Sequence, residues 1–391
     1  MSTSTLTETA ALLPAAEIER SYQVCRRCVM DTTDPDIRFD AAGTCHYCTD
    51  WLKRVERETA AGNPALSLSR LVERISRAGS GRDYDCVIGV SGGVDSTYTA
   101  WVVKKHGLRP LAVHLDNGWN SELAVDNIRG VLEKLKIDLH THVVDWEEFR
   151  DLQRSFFRAS VVNIEIPTDH AINAVLHHAA VKHKVKYIVT GGNIRCEGIY
   201  PRSWGWYNLD LRHLRAVHRR YGARRLKTLP QISLLQFGFN TVVRGIKTVP
   251  ILNYLDYSKP AAMQFLEKEL GWRPYGGKHY ESIFTRFFQG HIQPRKFRVD
   301  KRRGHFASLV AGGDLDRQEA LNELAGSPYP DPQMEADDLE FFLKKMAITQ
   351  EEFDEWMKAP PQPHTAYLNN GWFFERAPAL KRWARRIALG N

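Results

Sequence analysis

From residue 85 to residue 190 the chain alternates between two hydrophobic periods. Strand-like runs at 86–90, 111–115, 140–144 and 186–190 alternate with helical stretches at 97–106, 121–135, 147–157 and 170–183. Cys86-Val87-Ile88-Gly89-Val90 is apolar and follows the polar cluster Gly81-Arg82-Asp83-Tyr84-Asp85, the pattern of a strand buried on both faces. Such alternation predicts an α/β protein with a doubly wound parallel sheet. The loops after its strands, 91–96, 116–119 and 191–200, should line one crevice. Beyond Pro201 strand signals fade, and the chain reads as helical, basic and aromatic. Ala261 to Leu270 has an amphipathic pattern, Asp337 to Met346 another, and Thr349-Gln350-Glu351-Glu352 opens a further helix as a capping box. The expected division is 1–20, a disordered lead; 21–52, a cysteine-bearing segment; 53–82, a helical linker hinged at Gly79-Ser80-Gly81; 83–205, a nucleotide-binding domain; 206–330, a helical region for substrate or partner; and 331–391, C-terminal helices.

Between the first strand and the first helix lies Ser91-Gly92-Gly93-Val94-Asp95-Ser96. A glycine-rich turn here aims backbone N–H groups and a helix N-terminus at one point, which favours an anion. Ser91 and Ser96 add hydroxyl donors. Neither the Walker spacing nor G-x-G-x-x-G is present. Asp95 inside the loop would repel phosphate oxygens unless a cation bridged them, and magnesium, a hard ion sharing carboxylate and phosphate ligands, suits that role. The S-G-G-x-D-S pattern at a strand-to-helix turn resembles the pyrophosphate (PP) loop of the ATP-pyrophosphatase superfamily, whose members split ATP between its α and β phosphates. Its sheet is of the adenine-nucleotide alpha-hydrolase type. ATP is therefore expected on Ser91, Gly92, Gly93, Val94, Asp95 and Ser96, on Leu115 and Asp116 after the second strand, and on Thr190 and Gly191 after the fourth.

Cys25-x2-Cys28 and Cys45-x2-Cys48 are separated by 16 residues, a spacing known for four-cysteine zinc sites. Each pair can form a knuckle, and two knuckles complete a tetrahedron with no open position, so the metal would be structural. A segment this short cannot bury a core large enough to hold itself together, and the ion would supply its folding energy. Two disulfides or an iron–sulfur cluster are the competing readings. Cys86 reads as a buried apolar residue and Cys196 as a bystander in the pocket wall rather than a nucleophile.

Charge and length change the picture little. The 391 residues carry 54 basic and 46 acidic side chains, a net +8, and no apolar stretch is long enough for a transmembrane segment. Met1 to Ala16 lacks the basic start and apolar core of a signal peptide, so a cytoplasmic location is expected. The run Arg212, Arg215, Arg219, Arg220, Arg224, Arg225 and Lys227 is compatible with a solvated helix face, RNA, an acidic protein or a nucleotide-sugar's phosphates. A terminal stripe, Leu380, Trp383 and Ile387, is expected to dock on the protein's own core rather than on an anionic membrane.

Taken with Cys25-Arg26-Arg27-Cys28-Val29-Met30-Asp31-Thr32-Thr33, Thr190-Gly191-Gly192-Asn193 and the block from Lys278 to His305, the loop makes the chain resemble the N-acetyl sugar amidotransferases of bacterial surface-polysaccharide synthesis. That family includes O-antigen and pseudaminic or legionaminic acid amidine-forming enzymes, and the likeness spans roughly Tyr22 to Arg317. It implies that ATP, with magnesium near Asp95, adenylylates a sugar's acetamido oxygen and that ammonia displaces AMP, leaving an acetamidino group for lipopolysaccharide. On this reading Lys278, Arg286 and Lys301 join Asp95 as catalytic groups. Asn193, Glu197, Tyr200, Glu281, Lys296 and Arg302 hold the nucleotide-sugar. Residue 2 is Ser rather than Cys and neither Cys86 nor Cys196 sits in a G-x-C-x-G elbow, so a separate glutaminase is expected. The family pattern suggests a HisH-like glutaminase with a HisF-like cyclase-type subunit, and no stable nucleic acid. The alternative is a tRNA-thiolating enzyme of the same superfamily, delivering sulfur through Cys196 or a cluster.

Overall fold

The computed structural model describes residues 21–376 apart from 61, 64–66, 278, 279 and 330. The expected lead at 1–20, the terminal stripe at 380–387 and the candidate Lys278 lie outside the described residues. Five strands, β1 Cys86–Gly89, β2 Pro110–Asp116, β3 Asp138–Val143, β4 Tyr187–Thr190 and β5 Lys247–Pro250, form one sheet in the order β3-β2-β1-β4-β5, with every neighbouring pair parallel. Helices α1 His46–Glu58 and α2 Leu68–Gly79 precede the sheet, and α3 Val94–Lys105, α4 Glu122–Leu135, α5 Trp146–Arg158 and α6 Ile166–Lys182 connect its first four strands. Between β4 and β5 lie α7 Ile194–Glu197, α8 Leu211–Tyr221 and α9 Leu234–Val242. After the sheet come α10 Lys259–Phe265, α11 Ile283–Phe287, α12 Arg302–Gly312, α13 Arg317–Ala325, α14 Pro332–Met346 and α15 Gln350–Lys358. Both α10 and α11 run on in wider, π-type turns, over Leu266–Leu270 and Phe288–Phe297.

Alternation across the pleat divides the core. Val87, Leu111, Val113 and Ile188 point to one face, where they meet Phe149, Leu152 and Phe156 of α5 and, further out, Phe284, Phe287, Phe342 and Phe353. Ile88, Ala112 and Val189 point to the other, against Val102 and Val103 of α3, Ile128 and Val131 of α4, and Trp272. Each such side chain, fully buried, contributes roughly 1.5–3 kcal/mol. The C-terminal helices α14 and α15 thus share one apolar cluster with α5 and α6 rather than enclosing a core of their own.

Three expectations change. β5 was not anticipated, and it carries the sheet past residue 205. In Lys247-Thr248-Val249-Pro250 only Val249 is buried and a proline ends the run, so this edge strand leaves no alternation to read. Helix α6 starts at Ile166, four positions before the expected 170, because Pro167 fits the first turn, where its missing N–H costs nothing. The Gly79-Ser80-Gly81 hinge is pinned: Arg109 donates to Gly79 O at 3.2 Å and Arg82 O at 2.7 Å and pairs with buried Asp85 at 2.7 Å. The capping box stands as read, Thr349 and Glu352 each bonding the other's backbone N–H.

Candidate functional site

Strand order reverses around β1, whose neighbours are β2 on one side and β4 on the other, and a crevice outside the carboxyl ends of such strands is where an α/β sheet binds ligands. The Ser91–Ser96 loop occupies that place. Gly92 sits at φ +83°, and a Cβ there would lie 2.7 Å from Ala124 O, so both the backbone and the α4 neighbour demand glycine. Gly93 is the N-cap of α3, which starts at Val94 with no capping side chain, and the Val94 backbone bonds the Tyr275 hydroxyl. Ser91 Oγ accepts from Gly93 N at 3.3 Å, and Ser96 Oγ accepts from Ser91 N at 3.2 Å while donating to Gly93 O at 3.0 Å. The loop is therefore braced by its own two serines. Gly191 at the end of β4 approaches it so closely that a Cβ would meet the Asp95 carbonyl at 2.7 Å.

Other elements close around this loop. Tyr257 donates a hydrogen bond to Asp95 Oδ1, and Trp272 Nε1 donates to Gly92 O at 2.9 Å. Burial, with Asp95's charge and hydrogen bond behind it, raises the Tyr257 hydroxyl well above its ordinary pKa, so it remains a donor. The Tyr275 hydroxyl and Glu281 Oε1 lie 3.2 and 3.4 Å from the position a Cβ on Gly93 would take. Glu281 is delivered there by backbone pairing: its carbonyl accepts from Ser121 N at 2.9 Å, and Ile283 N donates to Trp119 O at 2.9 Å. Asp116 turns its carboxylate onto Gly118 N at 2.9 Å, shaping the neighbouring loop. Leu115, almost fully buried, closes the end of β2. Tyr257, Trp272 and Tyr275 escaped the sequence reading because they lie after β5, in the stretch read as helical; their one signal was an aromatic cluster ahead of the Lys278 block.

The remaining candidates are placed differently. Arg286 forms a two-pronged pair with Asp338, at 2.7 and 2.6 Å, and its guanidinium lies 5.1 Å from the Tyr280 ring centre. Lys296 donates to the carbonyls of Trp356 in the last turn of α15 and of Ala359 at its C-cap, where helix-end oxygens lack partners. Arg302 pairs with Asp300 at 2.7 Å and donates to Glu323 O, Gly326 O and Ser327 O at the end of α13. These three cations, expected at phosphate or sugar, are committed to joining helices. Asn193 is the N-cap of α7, accepting from Cys196 N at 2.8 Å, and Cys196 itself is buried. Glu197 is exposed at the end of α7. Lys301 reaches the sheet side, 3.3 Å from Glu165 Oε2 and 5.6 Å above the Tyr200 ring, whose hydroxyl donates to Trp204 O at 3.1 Å.

The four cysteines converge. Cys25, Cys28, Cys45 and Cys48 are fully buried, with sulfur separations of 3.9 Å (Cys25–Cys48), 3.7 Å (Cys28–Cys45) and 3.8 Å (Cys45–Cys48). Four thiolates each about 2.3 Å from one tetrahedral zinc stand about 3.8 Å apart, so the donor set fits the ion. None of the four is in a disulfide. Backbone N–H groups of Arg27, Cys28 and Cys45 point at Cys25 Sγ, at 3.4, 3.4 and 3.2 Å, and that of Met30 at Cys28 Sγ, the donors a negative sulfur cluster needs. Arg317 holds the knuckle to α13 through the carbonyls of Cys25 and Cys28, and Arg303 holds it to α12 through Val29 O and buried Asp31. Among the described residues no helix is long and apolar enough to cross a membrane.

A parallel sheet with a braced glycine loop at its switch point, a four-cysteine cluster and a helical C-terminal part define an α/β protein with a candidate phosphate cradle and a candidate metal centre. Residues 281–381 match the family model described as LPS biosynthesis protein WbpG-like, C-terminal domain. That match supports the resemblance as far as lipopolysaccharide biosynthesis, and it extends beyond Arg317, where the motif likeness ended. A GMP synthase [glutamine-hydrolyzing] from Pyrobaculum aerophilum is 33% identical over 107 residues, 27% of this chain and 20% of that protein. The chain thus matches about a fifth of the length of this curated relative. Among solved structures, NMN synthetase from Francisella tularensis aligns at TM-score 0.29 and 16% identity over 61% of this chain and 96% of its own. NH3-dependent NAD synthetase from Campylobacter jejuni aligns at TM-score 0.28 and 14% identity over 56% and 84%.

Proposed function

We propose that the protein uses ATP to adenylylate the acetamido oxygen of an N-acetylated nucleotide-sugar and lets ammonia replace that oxygen, forming an acetamidino sugar for lipopolysaccharide synthesis. The observation that carries this reading is the meeting of the Ser91–Ser96 loop with Glu281, the first residue of the WbpG-like domain, beside Gly93. A phosphate-binding cradle and a polysaccharide-synthesis domain then share one crevice. The first turn of α3 and the Ser91 and Ser96 hydroxyls would take the pyrophosphate of ATP, and Asp95, steadied by Tyr257, would hold magnesium against it. Magnesium would offset charge developing on the leaving pyrophosphate. An amide oxygen is a poor leaving group, and transfer to AMP gives it a stable destination. Of the cations expected to assist, Lys301 lies beside Glu165 at the start of α6, and Lys278 stays a candidate. Ammonia would come from a separate HisH-like glutaminase with its HisF-like subunit, in the cytoplasm.

The protein incubated with ATP, magnesium, ammonium and a panel of UDP-linked N-acetyl sugars should release AMP and pyrophosphate and yield a sugar carrying the mass change of oxygen replaced by NH. AMP release with tRNA in place of sugar would instead favour the thiolation reading, against which stands the burial of Cys196. Glutamine should not substitute for ammonium with the isolated chain.

A further inference from the structure

Converting an amide carbonyl into an amidinium with ammonium removes two of the four protons on nitrogen. One must leave before attack, because ammonium has no lone pair, and the second leaves the tetrahedral adduct. The C–N bond forms, the C–O bond breaks, and its electron pair departs with oxygen on AMP. A proton acceptor therefore has to stand in the crevice; Asp95 would be engaged by magnesium, and Glu281 lies against the loop itself at Gly93.

We propose that Glu165 and Asp169 are the station where ammonium binds and gives up the proton that must leave before attack; the proposal rests on the amidine-forming reading above. Glu165 is the N-cap residue of α6 and Asp169 lies in its first turn. Because α6 leads into β4, this turn stands at the carboxyl edge of the sheet. Asn117 Nδ2 donates to Thr168 Oγ1 at 3.2 Å, tying the turn to the loop after β2. From the loop after β4, Tyr200 presents its ring beneath Lys301, and Lys301 Nζ lies 3.3 Å from Glu165 Oε2, where Gln289 Nε2 also donates at 3.1 Å. Asn208 bonds the Asp169 carboxylate. Groups from both crevice loops and from the WbpG-like domain thus converge on two carboxylates and one ammonium side chain, leaving one negative charge for one further small cation.

The electrostatics suit proton transfer. Burial pushes the Asp169 carboxyl up to about 7, with Glu165's charge adding and Lys301 and Asn208 opposing. A base poised near working pH accepts and releases protons best. Burial works against the charge on Lys301, but Glu165, Tyr200 and Asp169 together raise its pKa, so it stays an ammonium.

The test compares ammonium chloride with hydroxylamine, a nucleophile already unprotonated at neutral pH, in the full-length protein with ATP and the UDP-sugar panel. Wild-type ammonium turnover should climb with pH and level off above roughly 7, as Asp169 deprotonates. Asp169→Asn should lose ammonium turnover by roughly 100-fold and lose the inflection, yet keep most hydroxylamine turnover. Glu165→Gln should chiefly raise the KM for ammonium. Thermal melts of both variants show whether each is folded, and either one suffices for the comparison. Equal losses with the two nucleophiles, or unchanged ammonium kinetics, would overturn the proposal while the function stands. A wild-type protein inert with both nucleophiles and every sugar would instead remove the functional reading, and this proposal with it.

Discussion

The Ser91–Ser96 loop and the segment from Arg286 to Arg302 are equally rich in suggestive chemistry, yet the fold uses them in opposite ways. In the loop the polar work is done by backbone and two short serines: Gly92 is left-handed, Gly93 caps α3 without a side chain, and Ser91 and Ser96 bond within the loop, taking the Gly93 and Ser91 N–H groups. In the second region long cationic side chains find helix ends first. Arg302 and Lys296 cover terminal carbonyls, and Arg286 neutralises Asp338 in a nearly dry setting. A flexible charged side chain near unpaired carbonyls or a buried carboxylate is consumed by them, whereas a strained glycine turn keeps its polar groups within one short loop.

The largest effect that would sharpen this contrast concerns the third construction, the cysteine centre, which has neither open donors nor a large core. Stripping the metal with a chelator, or Cys28→Ser, should unfold the knuckle, because a structural zinc supplies about 10 kcal/mol or more of folding energy. Metal content and a thermal melt follow it; an unaltered melt after complete metal loss would deny the ion its structural role, and iron with visible absorbance would replace zinc by a cluster.

Next, Arg286→Ala strands Asp338, 5% exposed, without its cation and should cost about 3–5 kcal/mol. The paired variant Arg286→Met with Asp338→Leu should recover much of that stability and retain turnover. A paired variant that melts normally but is inert would return Arg286 to the reaction. Gly92→Ala should cost only about 1–2 kcal/mol in stability but roughly 100-fold in ATP-dependent turnover, because the cradle shifts against Ala124. Comparable losses on both scales would mean the loop is merely structural. Smallest is Tyr257→Phe, which frees Asp95 from its donor and should weaken the apparent magnesium affinity by roughly tenfold with little change at saturating metal. Titrating turnover against magnesium reads it; an unmoved magnesium curve would leave Tyr257 without a positioning role.

The sheet half was legible because buried parallel strands and glycine turns write strong local signals. Cys86–Gly89 and Ser91–Ser96 were read directly, and the two CxxC pairs specified a centre whose geometry now matches a tetrahedral ion. What stayed hidden depends on long-range contacts. Nothing in Lys247–Pro250 states that it will pair with β4, nothing near Tyr257 states that it will meet Asp95, and a charge count cannot tell Arg286, whose partner is 52 residues away, from Lys301 beside Glu165. Sequence ranks cations by proximity to motifs; the fold ranks them by which unsatisfied oxygen they reach first.

The central claim is that the sugar's own amide oxygen is activated by AMP transfer. Turnover with a UDP-linked N-acetyl sugar carrying oxygen-18 in the acetamido group should place the label in the phosphate of AMP. AMP formed without the label would contradict the account.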